Sequence, residues 1–63
     1  MPLIIARILE GRPADKVEQL IEALTAAAAE TLAAPRDSVR VIVEEVPKTH
    51  WGIGGKTAKS LGR

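Results

Sequence analysis

The sequence predicts an α/β fold: a short β-α-β subunit finished by a C-terminal hairpin or turn, with its sheet completed by oligomerisation. Three observations carry that prediction. Two short aliphatic runs, Pro2–Leu9 and Val39–Val46, have the branched residues of strands. The stretch between them, from Pro13 to about Ala33, has helical periodicity. The chain has 63 residues, 46% of them hydrophobic and nearly all of those aliphatic. A chain of about 60 residues buries only roughly 60% of the surface it exposes when unfolded. Residues 1–63 therefore form one domain, and self-association is expected to cover what one subunit cannot.

In the first run, Leu3, Ile4, Ile5, Ile8 and Leu9 are interrupted only by Ala6 and Arg7. Apolar residues on both faces suggest a strand buried on both sides, as in a covered parallel sheet. Glu10-Gly11-Arg12-Pro13 punctuates: Gly11 permits a turn, and Pro13 suits a helix start. Val17, Leu20, Ile21, Leu24, Ala28, Thr31 and Leu32 then form one stripe at three- and four-residue spacing. Asp15 falls in the first turn, where the helix dipole favours an acid. Ala34-Pro35 ends the helix, because the residue before proline is pushed out of the α region. In the second run Val39, Val41 and Val43 face one way and Arg40, Ile42 and Glu44 the other. Two strands joined by a helical crossover run parallel. Two strands are also too few for a stable sheet, so their edges are expected to pair with another subunit. Gly52, Gly54 and Gly55 mark the tail from Pro47 onward as a turn or small hairpin.

Composition removes several functions. Nine Lys and Arg against eight Asp and Glu give a net charge of +1, so no nucleic-acid partner is expected. No stretch approaches the roughly 20 apolar residues of a membrane span, and Met1–Leu9 does not read as a signal peptide. A soluble cytoplasmic protein is the expectation. With no cysteine and one histidine, His50, neither a disulfide framework nor a metal site is expected.

Chemistry must then come from elsewhere, and Pro2 supplies a route. An amide nitrogen delocalises its lone pair into the carbonyl. Once Met1 is removed, the Pro2 nitrogen becomes a secondary amine, a base whose lone pair the ring holds in one direction. Nearby cations and desolvation disfavour the ammonium form, which poises such a base near neutral pH. Arg12 follows the first strand, Arg40 sits in the second, and His50-Trp51-Gly52-Ile53-Gly54-Gly55 brackets the only aromatic residue with flexible backbone. Each has a commonplace reading alone: proline at position two permits methionine removal, the arginines can be solvated or paired (Arg40 with Glu44 on its own strand face), and Trp51 can be a packing anchor. Arg7 reads as a charge on the sheet face or at an interface. The glycine turn lacks the lysine-serine/threonine ending of a phosphate loop.

Together and in this order, Pro2, Ile8-Leu9-Glu10-Gly11-Arg12, Ala34-Pro35, Ser38-Val39-Arg40-Val41-Ile42 and Gly52-Ile53-Gly54-Gly55 resemble the 4-oxalocrotonate (2-hydroxymuconate) tautomerase family over nearly the whole chain. The resemblance implies a cofactor-free isomerase of aromatic hydrocarbon catabolism, commonly a homohexamer built as a trimer of dimers with sites shared between subunits. The implied reaction is ketonisation of the dienol 2-hydroxymuconate, so the expected partner is a small dicarboxylate or 2-oxo acid. Residue by residue, the resemblance implies that Pro2 takes the proton from the enol oxygen side and delivers it to carbon. Arg40 would engage the 2-oxo/hydroxy group and its carboxylate, and Arg12 would bind the distal carboxylate. Leu9 and Trp51 would line the substrate pocket, with Trp51 standing where the family more usually has phenylalanine.

Two other functions fit such a chain. A cofactor-independent dehalogenase or hydratase could use the same base, but it needs a carboxylate to activate water. The tail from His50 onward has no Asp or Glu, leaving Glu10, Glu44 and Glu45. A non-catalytic oligomeric binding protein is the reading if Met1 is retained.

Overall fold

The computed structural model describes all 63 residues. Strand β1 covers Leu3–Leu9, helix α1 Ala14–Leu32, and strand β2 Arg40–Val46. The two strands pair in parallel, Leu3 opposite Arg40 through Leu9 opposite Val46. Pro2, the first residue of the expected strand, lies just outside β1 because it has no N–H to give the ladder, although its carbonyl still accepts the Arg40 N–H at 2.9 Å. Val39 precedes β2 and is one of only two buried residues, at 8% exposure.

One face of this ribbon is covered and the other is bare. Ile4, Ala6 and Ile8 of β1 and Val41 and Val43 of β2 are half-buried, on the side where α1 packs. The alternate residues Leu3, Ile5 and Ile42 are 58%, 46% and 47% exposed. The expectation of a strand covered on both faces is therefore not met within one subunit, because the chain has one helix to lay against its sheet. The alternation in β2 is as read from the sequence. The Arg40–Glu44 pairing is not. Four residues along one strand are about 13 Å apart, whereas Arg7 lies directly across the ladder from Glu44 and its Nε donates to Glu44 Oε2 at 2.8 Å.

Helix α1 begins after Pro13, whose extended backbone (φ −64°, ψ 153°) and free carbonyl cap the first turn. That carbonyl accepts from Lys16 N–H at 3.0 Å. Val17, Leu20, Leu24 and Ala28 form the half-buried stripe, joined by Thr25 and Ala29. Ile21, Thr31 and Leu32 instead stay exposed, Leu32 at 60%. The helix outlasts the short sheet beneath it. It ends at Ala33, which sits in the left-handed region at φ 52° and ψ 42°. Ala34 N–H reaches Ala29 O at 3.0 Å and Ala33 N–H reaches Glu30 O at 3.4 Å, the paired bonds that close a helix at a position usually given to glycine. Pro35 then opens a 3₁₀ turn, Arg36–Ser38, which the sequence reading did not anticipate.

Beyond β2, a second 3₁₀ turn (Lys48–His50) leads to a two-residue hairpin, β3 (Gly52–Ile53) and β4 (Lys56–Thr57). Its Gly54-Gly55 link has φ of +60° and +86°, the mirror-image turn that matches the twist of paired strands. Ala58 is fully buried under it, its N–H donating to Trp51 O at 2.8 Å.

The whole is elongated, 42 × 23 × 13 Å, with a radius of gyration of 14.4 Å. A compact chain of this length would have about 10.6 Å. Its accessible surface is 4624 Å², some 700 Å² above the roughly 3,900 Å² expected of a compact chain of this mass. That excess is close to the roughly 800 Å² each partner contributes to a stable interface. No helix is long and apolar enough to cross a membrane.

The left-handed Ala33 gives a direct test of the helix end. An L-residue there costs roughly 1–2 kcal/mol, and glycine returns roughly 0.5–1 kcal/mol in unfolded-chain entropy. Ala33→Gly should therefore stabilise the fold by up to about 1.5 kcal/mol, read as a higher denaturation midpoint at fixed protein concentration. A lower midpoint would contradict the strained cap.

Candidate active site

The expected site residues fall into two groups, one at each end of the parallel ribbon. At the start of the strands, Pro2 is half-buried and its carbonyl is tied to the Arg40 amide. This one bond sets the proline ring beside the first residue of β2. The Pro2 nitrogen here carries Met1, which is 84% exposed, so removing Met1 disturbs no packing.

Arg40 is oriented by the 3₁₀ turn before it. Its Nη1 donates to Asp37 O at 2.6 Å, and Ser38 Oγ closes the turn on Pro35 O at 2.8 Å. The turn is clasped to α1 by Arg36, whose Nη2 lies 2.8 and 2.7 Å from the two carboxylate oxygens of Glu22. One edge of the Arg40 fork is thereby held by the backbone. The rest of an always-charged, planar group is left free to meet a carboxylate. Sequence reasoning picked out Arg40 but missed the turn that aims it. Its signal was available: Pro35 followed by Asp37 and Ser38 is turn-forming composition.

At the far end, Arg12 follows Gly11, whose φ of +115° suits a residue without a side chain. Arg12 Nη1 donates to Leu9 O at 3.1 Å, so Leu9 and Arg12 are brought together. The same end is closed by Glu10: its amide donates to Val46 O at 3.0 Å and its Oε1 accepts the Lys48 amide at 3.3 Å. Trp51 follows the 3₁₀ turn Lys48–His50 and is half-buried.

The strand length decides what one subunit can do. Seven steps at about 3.3 Å put roughly 23 Å between Pro2 and Leu9, and Arg12 lies beyond Leu9. No small dicarboxylate spans that distance. Pro2 with Arg40 and Leu9 with Arg12 therefore form two separate groups, which meet only if one subunit's strand starts lie against another's strand ends. A concavity of about 590 Å³ lies elsewhere, along the outer side of α1 between Asp15, Glu18, Gln19 and Glu22. It is acidic and holds none of the expected residues.

The carboxylates available to activate water are mostly engaged. Glu44 is paired with Arg7 and Glu10 with the Lys48 amide, leaving Glu45 exposed. No group of three His, Cys, Asp or Glu side chains is arranged to hold a metal ion.

Comparison with known proteins adds to this geometry. A family model described as "Tautomerase enzyme" matches residues 2–60. The chain is 49% identical over 63 residues, the full length of both proteins, to a 2-hydroxymuconate tautomerase of Stutzerimonas stutzeri. Among solved structures it is similar to TomN, a 4-oxalocrotonate tautomerase homologue of the tomaymycin biosynthetic pathway. That match has 52% identity and a TM-score of 0.92, covering 94% of this chain and 91% of that one. It is also similar to a heterohexameric 4-oxalocrotonate tautomerase of Chloroflexus aurantiacus, with 43% identity and a TM-score of 0.92 over 97% and 98% of the two chains.

Proposed function

The chain belongs to the tautomerase enzyme family, and we propose that within it the protein ketonises 2-hydroxymuconate-type dienols, using the nitrogen of Pro2 after Met1 is removed. The observation that carries this reading is the bond from the Arg40 amide to the Pro2 carbonyl. It sets a proline that can become an amine beside an arginine suited to a 2-hydroxy acid. The neutral prolyl nitrogen accepts the proton of the enol hydroxyl. The electron pair moves through the diene, and the prolyl ammonium returns the proton to the far carbon of the conjugated system. The product is a conjugated 2-oxo acid; the proton is conserved and no electron is exchanged with any other reagent.

Arg40 acts at the reacting end, offering hydrogen bonds to the 2-oxygen and its carboxylate as charge builds there. Arg12, contributed by a neighbouring subunit, binds the distal carboxylate and draws electron density toward it. The pocket wall is apolar, from Leu9 and Trp51, and strengthens both charge contacts by excluding water. The assembly that this requires is a homo-oligomer, and a trimer of dimers would supply six equivalent sites. Engagement of Glu10 and Glu44 disfavours a hydratase or dehalogenase.

Activity of the Met1-free form should rise with pH as the prolyl ammonium loses its proton. Its midpoint should lie below the roughly 7.7–8.0 of an ordinary α-amino group, because the arginine cations and the apolar wall disfavour a second positive charge. A form that keeps Met1 should assemble normally and turn over no 2-hydroxymuconate. Equal rates for the two forms would show that Pro2 is not the base, and an inactive Met1-free form would favour a binding protein.

Arg40→Ala should lower kcat with a small effect on KM, and Arg12→Ala should change both. Each loses charge-assisted hydrogen bonds worth roughly 1.5–3 kcal/mol, or about 10- to 150-fold in kcat/KM. Steady-state kinetics within twofold of the parent for both variants would remove the dicarboxylate assignment.

A further inference from the structure

Resting on the reading of this chain as a self-assembling subunit, we propose that the Arg7–Glu44 ion pair is a polar pin by which copies of the chain recognise one another across the bare face of the sheet. That face presents Leu3, Ile5 and Ile42, each close to half exposed or more, and α1 lies on the opposite side. Near its middle stands one charged pair, Arg7 directly across the ladder from Glu44, with Nε and Oε2 2.8 Å apart. The two side chains are 65% and 47% exposed. A pair so open to water does little for the fold of its own subunit. Two charges placed within an aliphatic patch have another consequence: they decide what can cover the patch.

The occupant is a second copy of this chain. The excess surface of some 700 Å² matches what one partner gives to a stable interface, and three of the seven exposed large hydrophobic residues, Leu3, Ile5 and Ile42, lie on this one face. Arg7 and Glu44 satisfy one another within the subunit, so the pair itself carries no net charge, and the third charge of this face, Arg40, is held at the strand start by the Asp37 carbonyl. An acidic or basic partner would find no free counter-charge at the pin, whereas a copy whose own Arg7 and Glu44 are already matched needs none. Covering the pair strips its water, and only the mutual contact of the two charges offsets that loss. A copy lacking one of them would bury an unmatched charge and be rejected. Selection therefore works by penalty more than by attraction.

A dilution series followed by sedimentation tests this on the full chain, comparing the parent with Arg7→Met, Glu44→Gln and the double variant Arg7→Met/Glu44→Leu. Each single variant leaves one charge unpaired and should weaken association by about 100-fold or more, while the double variant should return to parental association or exceed it. Single variants within about fivefold of the parent would place the pair in water in the assembly and overturn the pin while leaving self-assembly intact. If the single variants do not fold, the double variant decides: assembly like the parent supports the pin, and failure to assemble overturns it. A parent that is folded and monomeric at micromolar concentration would overturn the self-assembly reading itself, and the pin with it.

Discussion

The whole structure follows from one shortage: a single helix can cover only one side of a two-stranded ribbon. Leu3, Ile5 and Ile42 remain open on the other side, and only Val39 and Ala58 are buried in the entire subunit. Hydrophobic burial at roughly 25 cal/mol per Å² is what a chain of this size has least of. With no cysteine and no metal cluster, a neighbouring copy is the available source. The elongated tail hairpin, held to the rest mainly by backbone bonds around Lys48 and Trp51, is a second part of the chain that needs a neighbour to pack against.

The same shortage shapes the chemistry. A small molecule needs converging groups within a few ångströms, and a ribbon whose conspicuous groups sit at opposite ends cannot supply them alone. In the proposed enzyme, assembly would provide core and site together and so couple activity to oligomeric state. It also explains why so few side chains suffice. The proposed base is a main-chain nitrogen, Arg40 is aimed by the Asp37 carbonyl, and Arg12 is steadied by the Leu9 carbonyl. Backbone geometry does the positioning that larger enzymes assign to an outer layer of side chains.

Much of this was legible in the sequence, and what was not has physical causes. Both strands, the helix and the glycine hairpin announce themselves through period and punctuation, and all lie within a residue or so of where those signals put them. The short aliphatic strands also raised the expectation of self-association, which the bare sheet face supports. Three features were hidden. The left-handed Ala33 was invisible because alanine is an unusual residue there. The partner of Glu44 was misjudged because a strand pairs residues across a ladder, and register depends on where both strands begin. The division of the expected site between two ends was implicit in seven-residue strands, yet a list of residues carries no distances. Pro2, Arg12, Arg40, Leu9 and Trp51 could be named, but which of them one subunit brings together required the fold.

The claim that a working site takes Arg12 from one subunit and Arg40 from another is tested most directly by mixing. Arg12→Ala and Arg40→Ala chains are each assembled alone, then dissociated together, reassembled and assayed on 2-hydroxymuconate. Random assembly places an intact Arg12 beside an intact Arg40 in roughly a quarter of the sites of a closed symmetric oligomer. The mixed sample should therefore recover up to about a quarter of parental activity, far above either variant alone. Activity in the mixture no greater than the average of the two separate variants would mean that both arginines serve from one chain, and the account of a divided site would be wrong.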